Sequence, residues 1–271
     1  MDRLKGKVAI VTGAGRIGNI GLAICEAFLR EGAKAVIGTD LRADEGEAIL
    51  ARISELKAPG SFKLIAHDVT DATQWDKLVS DVVAEFGGLD ILVNNAGISI
   101  HGGIKNSSLD DVRKVMAVNH DAPFLGMKYC APALEGSIER FEGGGSIINN
   151  CSMASYKTSS HNMGYHVSKA AARMLTMCGA EEFGPQRIRV NSVHPGLTVT
   201  PLVREGLQEY TQSGMFSSVD SAIEEIAGRN PLKIAGQPED AAHLFVYLAS
   251  DEARFVTGAA FCHDSGLGIQ Y

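Results

Sequence analysis

The stretch Val8-Ala9-Ile10-Val11-Thr12-Gly13-Ala14-Gly15-Arg16-Ile17-Gly18-Asn19-Ile20-Gly21 decides the fold. Its first four residues are apolar without alternation, the pattern of a strand covered on both faces. From Ile20 to Arg30 the apolar spacing becomes helical, with Ile24 and Phe28 on one face. Between strand and helix lies a glycine-rich turn. Glycine lets the backbone turn sharply and come close to an anion, which the free N–H groups and dipole of a helix N-terminus then stabilise. A plain tight turn carries the same glycines, so the order strand, turn, helix gives the reading its weight.

The same alternation runs outward along the chain. Strands are expected at Ala35-Val36-Ile37-Gly38, Phe62-Lys63-Leu64-Ile65, Leu89-Asp90-Ile91-Leu92-Val93, Ser146 to Asn149, Ile188 to Val193 and Ala259 to Asp264. Helices are expected at Asp44 to Leu56, from a Thr70-Asp71 cap to Phe86, at Asp110 to Leu134, Met163 to Phe183 and Pro238 to Ala249. Residues 200 to 236 read as one or two mobile helices with polar loops, a lid. Continuous apolar strands separated by helices imply one α/β domain over residues 1–271. Its fold is doubly wound and Rossmann-type, a seven-stranded parallel sheet with helices on both faces. A ligand then belongs beyond the carboxyl ends of the strands, where strand order reverses.

A chain of 271 residues with this composition builds its core without disulfides or metal. The five cysteines, Cys25, Cys130, Cys151, Cys178 and Cys262, form no C-x-x-C pair, so no metal site is expected and free thiols in a reducing cytosol are. The net charge of −7 argues against nucleic acid and anionic membranes as partners. Neither a signal-peptide core nor an apolar run of about 20 residues is present, so the expected location is cytoplasmic.

Asp40 ends the second strand, where a carboxylate accepts hydrogen bonds from ribose hydroxyls and repels a 2′-phosphate, favouring NAD over NADP. Arg16 and Arg42 complicate that choice, since either could face a 2′-phosphate. Gly13, Gly15, Ile20, Gly21 and Leu41 are the neighbouring candidate contacts. After the third strand, Asp68 suits an adenine amino group and Val69 the ring face, although a helix-capping Asp reads the same. Asn95, Ala96 and Gly97, with Asn94, can tie neighbouring strands together and give a cofactor backbone access. Tyr165 and Lys169 lie on one helical face, so phenol and ammonium converge. A nearby cation stabilises a phenolate, which makes such a tyrosine an acid or base near neutral pH.

A Tyr-x-x-x-Lys spacing is common by chance; the combination is not. Thr12-Gly13 to Gly21, Asn94-Asn95-Ala96-Gly97, Asn119, Ser152, Tyr165-x-x-x-Lys169 and Pro195-Gly196 occur in order. Together they resemble the short-chain dehydrogenase/reductase family over nearly the whole chain. The resemblance implies Tyr165 as general acid/base on the substrate oxygen. It implies Lys169 as its activator and partner of the nicotinamide ribose, and Ser152 as the group orienting the substrate oxygen, with Ser155 a nearby alternative. Asn119 would support a water-linked proton relay through Lys169, or hold a helix kink by bonding backbone. Pro195, Gly196, Thr198 and Thr200 would hold the carboxamide and pyrophosphate. The glycine loop departs from the family pattern: aligned from Gly13 it is two residues too long, and aligned on Gly15 and Gly21, Asn19 stands where a glycine is usual.

Ser99, His101, Met153, Asn162 and Leu197 are expected beside Ser152 and Tyr165 around a small alcohol or ketone. The resemblance leans toward bacterial secondary-alcohol and hydroxysteroid dehydrogenases acting on hydroxysteroid, cyclic or aryl alcohols. A 3-oxoacyl-[acyl-carrier-protein] reductase is the second reading, disfavoured by Asp40 and by the negative net charge. A non-catalytic dinucleotide-binding sensor is the third. A homotetramer is the family's usual assembly.

Overall fold

The computed structural model describes residues 2–42, 44–212 and 214–270. Met1, at the head of the chain, and Ser213, inside the expected lid, lie outside the described residues. Seven parallel strands form one sheet in the order β3-β2-β1-β4-β5-β6-β7. They are β1 Val8–Thr12, β2 Ala35–Asp40, β3 Ser61–Ala66, β4 Ile91–Asn94, β5 Gly145–Asn150, β6 Ile188–Pro195 and β7 Ala260–His263. β1 pairs with β2 on one side and with β4 on the other, so the direction of winding reverses between β1 and β4. The crevice beyond their carboxyl ends is where the candidate site lies.

Helices cover both faces because β1, β4 and β6 are buried along their whole length. One core packs α1 (Ile20–Arg30) and the carboxyl-terminal helix Pro238–Ala249 against Ala9, Val11, Ile91 and Val93. The opposite core is centred on Trp75, which is fully buried and donates Nε1–H to the Val69 carbonyl at 2.8 Å. Among the described residues no helix is long and apolar enough to cross a membrane.

Two expected elements differ. Leu89 and Asp90 precede β4 rather than belonging to it. The buried Asp90 carboxylate accepts the Val8 N–H at 2.8 Å and Arg140 Nη2 at 2.7 Å, work for a loop side chain rather than a strand residue. The expected helix Asp110 to Leu134 is interrupted. It runs as Leu109–Met116, a π-helical turn Ala117–Asp121, and a helix Ala122–Leu134. Within that turn Ala122 N–H bonds the Ala117 carbonyl, five residues back. Pro123 has no N–H to offer Asn119, four residues back, so the ordinary ladder fails here. The wide turn presents Asn119 to the end of the sheet.

Candidate active site

The glycine loop is built around Thr12 and Asn95. Thr12 Oγ1 accepts the N–H groups of Asn95 and Ala96 at 2.9 and 3.0 Å. Asn95 Nδ2 returns hydrogen bonds to the carbonyls of Thr12 and Gly13 at 2.8 and 3.0 Å. The turn needs φ +67° at Gly13, the left-handed region that glycine enters without penalty. Gly21, in the first turn of α1, packs against it: a Cβ there would lie 2.2 Å from the Gly13 oxygen. Asn19, the departure from the family pattern, is the N-cap of α1. Its Oδ1 accepts the Leu22 N–H at 2.7 Å and its Nδ2 donates to the Gly13 carbonyl at 2.9 Å. The longer loop is thus closed by an amide side chain in place of a glycine.

At the end of β2, Asp40 Oδ2 accepts the Gly15 N–H at 2.8 Å and Oδ1 the Arg42 N–H at 3.0 Å. These bonds fix the carboxylate against the loop. Arg16 Nη2 pairs with Glu205 at 2.8 Å, from the helix Pro201–Gln212. Thr200 Oγ1 accepts the Val203 N–H at the start of that helix, at 3.2 Å. Thr200 and the N-terminus of α1 face a common cavity of about 500 Å³, so two helix N-termini could stabilise one anion.

Ser152, Tyr165 and Lys169 line the same cavity. Ser152 follows β5 and caps a short turn, its Oγ accepting the Ala154 N–H at 3.1 Å. Lys169 is buried, and its Nζ donates to the Asn150 carbonyl at 2.8 Å. That ammonium sits 5.7 Å from the centre of the Tyr165 ring. Asn119 is buried beside them without lining the cavity. Its Oδ1 accepts the Ile98 N–H, and its Nδ2 donates to the Ile98 carbonyl and to Ser168 Oγ, at 2.9 to 3.0 Å. Its side chain therefore braces the turn after β4. The Ser155 hydroxyl, the alternative to Ser152, is spent on the Lys169 carbonyl at 3.0 Å.

His194, on β6, supports Ser152 from behind. The Ser152 carbonyl can only accept, so Nδ1 carries the proton and donates to it at 3.1 Å, while Nε2 takes the Ser192 hydroxyl at 2.9 Å. Burial pushes the imidazole down to about 4, and nearby Arg173 and Lys169 push the same way, against the Ser152 bond. A folded-state value below the unfolded 6.5 means that the unfolded chain takes the proton first. The stability is complete above pH 6.5 and is lost as pH falls through about 4. Urea unfolding followed down to about pH 4 should cost the wild type on the order of 2–3 kcal/mol more than His194→Gln. An identical pH dependence in the two proteins would contradict this role.

Of the expected cofactor contacts, Gly15 packs against Asp40 and Gly21 against the Gly13 carbonyl, and all the others line the cavity. The expected substrate contacts divide. Ser152 and Tyr165 are on the wall, whereas Ser99, His101, Met153, Asn162 and Leu197 are not. His101 Nδ1 is paired with Glu209 at 2.7 Å. Met153 is buried with its thioether end against Gly268. Asn162 precedes the helix Met163–Phe183 and bridges Gly102, and the Leu197 carbonyl takes the Gly236 N–H. Sequence reading missed Asn19, Asn150 and Glu205 on the wall. An Asn just before an apolar helix was a legible cap signal. Asn150 and Glu205 had none, since their partners come from distant segments.

Comparison with known proteins places this architecture among related chains. A family model described as Enoyl-(Acyl carrier protein) reductase matches residues 13–268. The chain is 37% identical to the NADP-dependent (R)-specific alcohol dehydrogenase of Lentilactobacillus kefiri, over 99% of each chain. It is 36% identical to the 3-alpha-(or 20-beta)-hydroxysteroid dehydrogenase of Mycobacterium bovis, over 97% of this chain and 90% of that one. The crystal structure of levodione reductase superposes with a TM-score of 0.90 at 26% identity, covering 99% of this chain and 100% of that one.

Proposed function

The chain belongs to the short-chain dehydrogenase/reductase family, and we propose that it is an NAD(H)-dependent oxidoreductase interconverting a secondary alcohol and its ketone, of the hydroxysteroid, cyclic or aryl type. The observation that carries this reading is that Ser152, Tyr165 and Lys169 line the same cavity as the glycine loop and Asp40. That cavity fits an extended dinucleotide: close backbone approach at Gly13, helix N-termini near its middle, and a carboxylate at the far strand end. When bound, the dinucleotide supplies or accepts the hydride.

The chain's own residues manage the proton and the geometry. Tyr165 donates its phenolic proton to the substrate oxygen in reduction and takes a hydroxyl proton in oxidation. Ser152 Oγ already accepts the Ala154 N–H, which leaves its O–H to donate to the substrate oxygen. Lys169, anchored on the Asn150 carbonyl, keeps a positive charge beside the phenol and two further N–H donors for ribose hydroxyls. Asn119, held by Ile98 in the π-helical turn, supports the proton relay behind Lys169. Residues 200–236 serve as the substrate lid, with Pro201, Leu202 and Val203 on the cavity wall. A homotetramer completes the reading; Phe124, Val167 and Met174 leave about half of their surface exposed, which supports a face for self-association.

The cofactor choice is read from this chain's own residues, because the Lentilactobacillus kefiri relative is named as NADP-dependent. Asp40 ends β2 on the cavity wall with its carboxylate fixed by two backbone N–H groups, a charge that would repel a 2′-phosphate. The test is a panel of secondary alcohols and ketones, including steroids and cyclic members, followed by NADH and NADPH absorbance. Turnover with a cyclic or steroid member and a higher kcat/KM with NADH is expected. Absence of turnover across the panel overturns the activity, and a preference for NADPH overturns the cofactor.

A further inference from the structure

We infer that Glu205 is a determinant of cofactor choice: it engages the Arg16 guanidinium and so withholds that charge from a 2′-phosphate. This rests on the NAD reading above. Arg16 follows Gly15, whose N–H is bonded to Asp40, so its backbone is held at the strand-end carboxylate. Its side chain lines the same cavity as Asp40, Leu41 and Arg42. A guanidinium is the side chain best suited to bind phosphate through two parallel hydrogen bonds. An Arg16 with unengaged donors would oppose the selectivity that Asp40 imposes.

Its charge is met by carboxylates instead. Nη2 gives a hydrogen bond to Glu205 Oε1 at 2.8 Å, and Nε stands 4.0 Å from Glu45 Oε1. Glu45 is itself held in place by the Ile17 N–H at 2.7 Å. Asp44 adds a further negative charge to the field around Arg16. The Arg16 pair, with Arg42 nearby, keeps the Glu205 carboxyl below the usual carboxylate range, so the bridge stays ionised at neutral pH. Asp44, Glu45 and Glu205 thus all act on the Arg16 charge, with Asp40 beside them at the end of β2. Glu205 differs from the other three in coming from the far side of the cleft, 189 residues along the chain. Cofactor choice is thereby shared between the end of β2 and the helix that roofs the site.

One turn further along that helix, Glu209 pairs with His101. Substituting Glu209 loosens the same helix without touching Arg16, which separates masking from mobility. The test is equilibrium titration of the purified protein with ADP-ribose and with 2′-phospho-ADP-ribose. In Glu205→Gln, and again in Glu205→Ala, the affinity ratio should move toward the phosphorylated probe by about threefold or more. In Glu209→Gln it should stay at the wild-type value. Glu205 is about half exposed, so these changes leave the core intact. A smaller shift in both Glu205 variants, or an equal shift in Glu209→Gln, overturns the inference alone. A wild type that binds the phosphorylated probe more tightly overturns the NAD reading and the inference together.

Discussion

Replacing Tyr165 with Phe should lower kcat by about two to four orders of magnitude while leaving NADH affinity within about twofold. The substitution removes one oxygen and keeps the ring. Lys169 keeps its hydrogen bond to the Asn150 carbonyl, and Ser152 keeps its place on the Ala154 N–H and its His194 support. What disappears is the one group proposed to hand a proton to the substrate oxygen. The loss therefore belongs to turnover and not to binding. Stopped-flow turnover and an NADH titration on the same preparation separate the two. Turnover within tenfold of wild type would remove Tyr165 from the chemistry.

The second large effect is expected at Gly21. A Cβ at this position would stand 2.2 Å from the Gly13 oxygen and 2.6 Å from Asn95 Nδ2. Neither neighbour is free to retreat. The Gly13 carbonyl receives hydrogen bonds from both Asn19 and Asn95, and Asn95 is tied to Thr12 and Asn150. Gly21→Ala must displace backbone that forms the floor of the cofactor cavity. NADH affinity should fall by tenfold or more. The displacement should also cost about 1–3 kcal/mol of stability, the range for overpacking a closed site. NADH titration and thermal unfolding measure the two losses. Unchanged affinity would mean that the loop does not form the cofactor floor.

These two positions also mark how much was legible in the chain. The apolar runs at β1, β2 and β6 and the helical spacing of Ile20–Arg30 and Met163–Phe183 are local patterns, and they gave elements close to those observed. The parallel sheet followed from their alternation. The π-helical turn was less legible, although Pro123 stood in plain view. A missing N–H shows where a ladder must break, but not that the helix continues beyond it with a wider turn. Asn19 was read as a misfit to a glycine pattern, whereas its amide performs the closure that a shorter loop achieves with glycine. The substrate side was least legible. His101 was read as a substrate contact, but its ring is paired with Glu209 across more than a hundred residues. The Arg16–Glu205 bridge was invisible for the same reason: two charges in unrelated segments carry no local sign that they meet.

The central claim is hydride transfer to a carbon bearing the oxygen that Tyr165 protonates. The most direct measurement is reduction of a cyclic or steroidal ketone with NADH carrying deuterium at the transferable position, followed by mass spectrometry of the product. The account predicts one deuterium on the carbinol carbon, formed by the wild type and not by Tyr165→Phe. Alcohol formed without that deuterium, or formed equally well by the variant, would contradict it.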